Sequence, residues 1–194
     1  MDKHTAKKVR IINKTMDTLR KGSKGVSGIS LNEIAKELSI PLEDLTSFFL
    51  TVEDVFLGEQ KRLNIKLEKY IDTRLSKAKV PNDAKDLLDG LIDKFVDILP
   101  EHADLVLSVS FYLPSCLKER RRAKAYYRKI FKAIIKKGWP GKIESVLDRQ
   151  TELVLLSFYG FYDYCSKASI SDRKELAGDF RNMLNLHLQD RLFF

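Results

Sequence analysis

The run with most scope for chemistry is "SLNEIAKELSIPLEDLTSFFLTVEDVF", Ser30 to Phe56. It reads as two short helices about a tight turn, followed by the start of a third. A second helix held this way can offer Leu42, Glu43, Asp44, Thr46 and Ser47 to a partner, and such groups hydrogen-bond base edges in the DNA major groove. Yet residues 41–49 hold no Lys or Arg, and carboxylates repel a polyanion. Three readings stand side by side. Glu43 and Asp44 lie in the first helical turn, where carboxylates stabilise the macrodipole by about 0.3–1 kcal/mol. One of them could accept from a cytosine amino group. Or the helix has lost its affinity for DNA. Phosphate attraction, if present, falls to Lys3, Lys7, Lys8 and Lys24 and to backbone N–H groups behind Ser30 at the start of the preceding helix.

Other constellations offer less. His4, His102 and His187 are far apart, and no HxxxH or CxxC spacing occurs, so no metal site is expected. His102, beside Glu101 and Asp104, fits a partly exposed helix start. "KGSKGVSG" is glycine-rich but lacks the strand that precedes a phosphate loop. Cys116 and Cys165 are scattered thiols suited to a reducing compartment. The expectation is no enzyme activity and no cofactor. Among the aromatic residues, Phe95, Phe111, Tyr112, Trp139, Phe158, Tyr159 and Tyr162 fall in the later part of the chain. They suit a pocket between helices, and they equally suit an ordinary core or dimer contact.

The elements that must position these groups are helical. The 194 residues are 44% hydrophobic and 32% charged with only 9 Gly and 5 Pro, which favours an all-α chain with a sizeable core. No apolar run reaches the roughly 18–20 residues that span a bilayer, and "MDKHTAKKVRIINK" lacks the apolar core of a signal peptide. No membrane partner and cytoplasmic residence are expected. The net charge is +8, and Lys118 to Lys142 holds eleven Lys/Arg against Glu119 alone. That segment sums to +10, leaving −2 for the rest. Ala123, Tyr126, Tyr127, Ile130, Phe131 and Ile134 form a helical stripe there, so the cations read as a solvated face, with anion or membrane-surface contact as the other use.

About nine helices are predicted. The first covers Thr5–Lys21, with Val9, Ile12, Met16 and Leu19 at helical spacing. Ser30 and Glu33 form a capping box for a helix ending near Leu38. Ser39-Ile40-Pro41 turns the chain, and Pro41 opens a third helix to Phe49. Thr51 with Asp54 caps a long fourth helix to Ser76. Helices follow over Asp83–Leu99, Glu101–Tyr112, Ser115–Lys137, Ile143–Lys167 and Asp172–Arg191, the last capped by Ser171. Leu153 to Cys165, "LVLLSFYGFYDYC", is apolar nearly all round. Its own domain can cover one face, and the other calls for a partner.

This pattern resembles the TetR/AcrR family of transcriptional regulators. Ser30 stands at the family's helix cap, Ile34-Ala35 at its Ile-Ala, and Ser39-Ile40-Pro41 at its Gly-Val-Ser turn. Leu45, Thr46 and Phe49 fall where Leu, Tyr and Phe stand, and Thr51-Val52-Glu53 with Val55 falls at Ser-Lys-Glu and an apolar residue. The motif covers about a quarter of the chain. Its packing positions match, while Ser39, Pro41, Thr46, Phe48 and Val52 differ at the surface.

The resemblance implies a helix-turn-helix head over residues 1–50 and a ligand-binding, dimerising body over 51–194. It implies a double-stranded DNA operator met through Lys7, Lys8, Lys24, Ser30, Leu42, Glu43, Thr46, Ser47 and Thr51. It also implies a small apolar or amphipathic effector among the aromatic residues named above, and a homodimer through the last two helices. The expected function is a repressor released by that effector. The alternative is a regulator-like module that binds a small molecule or protein and no longer reads DNA.

Overall fold

The computed structural model describes residues 3–21, 30–98 and 113–189, all connected helices and turns. The described residues form eight helices and no strand: α1 Lys3–Lys21, α2 Leu31–Leu38, α3 Leu42–Thr46, α4 Val52–Leu75, α5 Pro81–Ile98, α6 Pro114–Gly138, α7 Glu144–Lys167 and α8 Ile170–Leu188. The helix expected over 101–112 lies outside the described residues, as do Lys24, Phe111 and Tyr112.

The chain forms two compact units, whose division falls within α4 and within α6. Among the described residues, the first unit takes those up to Leu63 with 113–120, and the second takes 64–98 with 121–189.

In the first unit, local chemistry sets the helix ends. The Ser30 hydroxyl accepts from Glu33 N at 3.2 Å, and the Glu33 carboxylate accepts from Ser30 N at 2.8 Å. The capping box of the sequence is therefore formed, and such a cap stabilises by about 1 kcal/mol. Ser39 closes α2 in the left-handed region, φ 52° and ψ 43°. Ile40 N reaches Ala35 O, and Ser39 N reaches Lys36 O. That pattern satisfies two carbonyls that end a helix.

The third helix is shorter than expected, and Pro41 stands before it as the N-cap, φ −57° and ψ 142°, not as its first helical residue. Its end has a local cause. The hydroxyls of Thr46 and Ser47 donate to the carbonyls of Glu43 and Asp44, competing with helical N–H groups, and Phe48 N and Phe49 N both turn to Leu45 O. Leu45 and Phe49 are buried with Ile12, Met16, Ile34, Val55 and Phe56. α4 then starts on a second reciprocal cap: Asp54 accepts from Thr51 N, and Thr51 Oγ1 accepts from Asp54 N. Gly58 brings α4 close to its neighbours, since a Cβ there would stand 3.2 Å from Ile12 Cδ1 and 3.3 Å from Phe49 Cε1. Ser115, at the start of α6, donates to Glu53 at 3.0 Å, and Cys116 beside it is buried.

In the second unit, α5 and α7 both pack on α8. Leu87, Leu88, Leu91 and Ile92 from α5, Leu155 and Phe158 from α7, and Leu184 and Leu188 from α8 are buried. Asp83 caps α5 by accepting from Lys79 N and Val80 N. Those backbone N–H groups, Val80 first, hold its carboxyl below the usual carboxylate range. The last helix starts earlier than expected. Ser169, not Ser171, is its N-cap and accepts from Asp172 N at 3.3 Å. Ala168 ends α7 in extended backbone, so the link between the two helices is two residues long, and Ser171 is already helical.

α7 confirms its two-faced pattern. Val154, Leu155, Phe158, Phe161 and Cys165 are buried, while Leu156 is 59% and Tyr164 64% exposed. No helix among the described residues is long and apolar enough to cross a membrane.

Candidate functional site

The first unit holds the sequence-predicted reading residues, apart from Lys24, which lies outside the described residues. α2 packs on α3 and on α1. With Leu45 and Phe49 turned inward, α3 presents Leu42 (39% exposed), Glu43 and Ser47 outward, with Thr46 half-buried beside them. Ser30 and Thr51 are exposed at the starts of α2 and α4, where both already serve as caps.

The electrostatics of this surface were not evident in the sequence. Lys7 of α1 reaches across to α3 and pairs with Asp44, Nζ to Oδ2 at 2.8 Å. Its ammonium also lies 5.9 Å from the centre of the Phe48 ring. Lys8 sits over Phe49 at 5.4 Å. Both are cation–π distances. A further polar link joins α1 and α2, the Thr18 hydroxyl donating to Glu37. So the expected phosphate contacts Lys7 and Lys8 are held close to α3, and one of that helix's two carboxylates has a cation beside it. Sequence separation hid this pair: Lys7 and Asp44 are 37 positions apart, and only the docking of α1 against α3 joins them.

The hydroxyls are committed too. Thr46 Oγ1 donates to Glu43 O at 3.1 Å, and Ser47 Oγ donates to Asp44 O at 2.7 Å. What remains outward on α3 is the Glu43 carboxylate, the Leu42 side chain and hydroxyl lone pairs.

The second unit gathers some of the aromatic candidates and separates others. Phe95, Phe158 and Tyr162 form one cluster, with ring centres 5.2 Å apart for Phe95 and Phe158 and 5.7 Å for Phe95 and Tyr162. Sequence reasoning left Phe131, Phe161 and Phe180 out of this group. Phe131 stacks on Phe158 at 4.8 Å, and Phe180 meets Phe158 edge-on at 5.1 Å and Phe161 face-on at 4.3 Å. Their helical spacing was the available signal. Tyr159, 42% exposed, lies on the outer face of α7. Trp139 is buried elsewhere in the unit, with Lys85 above its ring at 5.5 Å.

Tyr127 stands at the edge of the cluster, its ring 6.5 Å from Phe131. It is 92% buried on its 8% exposure, and its hydroxyl has no hydrogen-bond partner among the described residues. Burial pushes its phenol well above the ordinary tyrosine range. The neighbouring Tyr126 phenol is raised as well, first by burial and then by its 2.8 Å hydrogen bond to the Asp72 carboxylate.

The basic run on α6 is only partly free. Arg122 pairs with Glu68 at 2.6 Å, Arg128 with Glu152 at 2.9 Å, and Lys132 with Glu144 and Asp148. Lys137 donates to Ala78 O. Arg121, Lys124, Lys129 and Lys136 face solvent. A cleft of about 460 Å³ lies between the end of α7 and the start of α8, lined by Tyr164, Lys167, Asp172, Glu175, Leu176 and Asp179 among others. None of the sequence-predicted ligand residues lines it.

No protein-family model and no curated protein matches the chain. Solved structures do. A TetR/AcrR-family transcriptional regulator from Thermobifida fusca superposes with a TM-score of 0.68 at 15% identity, covering 91% of this chain and 97% of that one. A TetR transcription regulator from Haloarcula marismortui gives 0.68 at 18% identity over 96% and 98%. AibR, in complex with isovaleryl coenzyme A and operator DNA, gives 0.65 at 13% identity over 91% and 97%. The chain has the all-α fold of TetR/AcrR-family transcriptional regulators. The resemblance carried by the first quarter of the sequence thus extends, as fold, over nine tenths of the chain.

Proposed function

We propose that this protein is a ligand-responsive, DNA-binding transcriptional regulator, acting as a repressor that a small apolar or amphipathic effector releases. The observation that carries the reading is the surface built by α2 and α3. Leu45 and Phe49 anchor a short helix whose outer residues, Leu42, Glu43, Thr46 and Ser47, share one face. That is the arrangement a helix-turn-helix protein offers to the major groove. The fold it shares with AibR, solved with operator DNA, supports the same reading. In this proposal residues 1–50 are the DNA-binding head and 51–194 the ligand-binding and dimerising body.

The dimer would form through α7 and α8. Leu153, Leu156, Tyr159 and Tyr164 on α7, with Met183 and Leu186 on α8, are exposed apolar residues. Gly160 and Gly178 lie in open space, with no atom within 4 Å of a built Cβ. Phe180, Leu184 and Leu188 are buried within the chain, so Met183 and Leu186 are left for a second copy. A two-fold contact of this kind is closed and self-complementary.

The effector would bind by the aromatic cluster of the body around Phe95, Phe158 and Tyr162. An effector that favours the conformation misfitting the operator lowers operator affinity by the ratio of its own affinities for the two states. Site selection from random duplex DNA tests the proposal, and a palindromic operator is the expected result. A thermal-shift screen with apolar ligands tests the effector.

One observation favours the second reading, a module that no longer reads DNA. The outward face of α3 carries no cation, and Lys7 is engaged by Asp44. Failure of any duplex to be enriched, with ligands still raising the melting temperature, would establish that reading instead.

A further inference from the structure

We infer that Glu43 is the specificity-determining residue of the reading helix, and that it selects a cytosine in each operator half-site. The inference rests on the DNA-binding reading above. It starts from a process of elimination among the polar groups of α3. Asp44 is paired with Lys7 at 2.8 Å. Thr46 and Ser47 direct their hydroxyl protons to carbonyls of their own helix, at 3.1 Å and 2.7 Å. Pro41 has no N–H, and its side chain makes no cap. Glu43 is exposed, and its carboxylate has no hydrogen-bond or ion-pair partner among the described residues. Of the two α3 carboxylates, Glu43 is the one with no cation beside it among the described residues, an acceptor with a full negative charge.

The chemistry of base edges decides what such a group can read. In the major groove guanine shows two acceptors, N7 and O6, and thymine shows the O4 acceptor; both repel a carboxylate. Adenine offers its N6 amino donor beside the N7 acceptor, so attraction and repulsion meet at one edge. Cytosine offers the N4 amino donor with no acceptor of its own in the groove. A lone carboxylate therefore ranks cytosine first and adenine second. The acid also repels the phosphates around it, whichever base is present. Repulsion everywhere combined with attraction at one base lowers random binding more than operator binding, which sharpens selectivity. A helix-end role for Glu43 would make neither distinction among bases.

The test is site selection on random duplex DNA with wild type, Glu43→Gln and Glu43→Ala, alongside a competition titration on the selected operator and its single-base variants. Glu43 is on the surface, so the variants should melt within a few degrees of wild type, and Glu43→Gln keeps its shape. Wild type should enrich a palindrome with a cytosine at one position of each half-site. Changing that cytosine should weaken wild-type binding on the order of tenfold, within the span of a single good base contact. Glu43→Gln should move the preference at that same position to adenine, whose N6 and N7 a carboxamide can bind together. Glu43→Ala should flatten it. Both variants should bind random duplex more tightly than wild type. A palindrome whose base preferences are the same in all three proteins would overturn the assignment and leave the DNA-binding reading standing. No enriched sequence with wild type would overturn both.

Discussion

Lys7 and Asp44 meet at 2.8 Å, from the first and third helices, and the Lys7 ammonium also rests against the Phe48 ring. The pair sets a cation beside one of the two carboxylates of α3 and ties that helix to α1. One of the two carboxylates of α3 is balanced from within the fold.

Both partners are about half exposed, so their mutual stabilisation is modest, about 0.2–1 kcal/mol in a double-mutant cycle by chemical denaturation. Asp44→Asn should matter more for DNA. It frees Lys7 for phosphate, so affinity for random duplex should rise and the salt slope should steepen by about one unit. Adding Lys7→Ala should cancel that gain. A salt titration with the three variants checks it, and an unchanged slope in Asp44→Asn would mean that Lys7 does not approach phosphate.

Ser39 holds φ 52° without being glycine. An L residue there carries a penalty of about 1–2 kcal/mol, partly offset because glycine has more freedom to lose. Ser39→Gly should therefore stabilise by about 0.5 kcal/mol, and Ser39→Val, β-branched, should destabilise by more than 1 kcal/mol. Thermal unfolding measures both, and opposite signs are the expected result.

Gly90 faces Tyr70. The Tyr70 hydroxyl donates to Gly90 O at 3.1 Å, and a Cβ on residue 90 would lie 2.7 Å from that hydroxyl oxygen. In an ordinary helix interior Gly→Ala stabilises by about 1 kcal/mol. Here it should destabilise, because the phenol must move and lose its hydrogen bond, about 1 kcal/mol besides the steric cost. In a Tyr70→Phe background the same Gly90→Ala change should turn neutral or stabilising. The comparison of the two melting temperatures is the measurement.

Tyr127 links stability to alkaline pH. Its phenol is raised above the unfolded value of about 10 by burial. Below pH 10 the proton is bound in both states, and the group adds no pH dependence. Above pH 10 the unfolded chain releases the proton while the folded chain keeps it, so stability falls with a slope of about 1.4 kcal/mol per pH unit. Tyr127→Phe should remove that slope from urea unfolding measured across pH 9.5–11. Equal slopes in the two proteins would show that the phenol is not sealed from solvent.

The apolar outer face of α7 predicts assembly. Light scattering should give twice the 22.4 kDa chain mass at micromolar concentration. Leu156, 59% exposed in the chain, should be covered in the dimer, so Leu156→Arg should yield monomers that keep their helical circular dichroism.

What the sequence by itself determined is local. The Ser30/Glu33 and Thr51/Asp54 caps, the turn at Ser39-Ile40-Pro41 and the two-faced character of α7 all depend on residues within a turn or two of each other. Their hydrogen bonds close over three or four positions whatever the rest of the chain does. Local rules also erred where two candidates competed: Ser169 and Ser171 are both good caps, and the choice went to the one following the extended Ala168. Tertiary structure decided the rest. It brought Lys7 to Asp44 across 37 residues, and it turned Phe180, Leu184 and Leu188 inward while leaving Met183 and Leu186 outside. It also drew Phe131 and Phe180 into the aromatic cluster with Phe95 and Phe158. Periodicity names the residues that share a helix face. Which face is covered, and by what, depends on how the helices dock, and that is set by packing among residues distant in the chain.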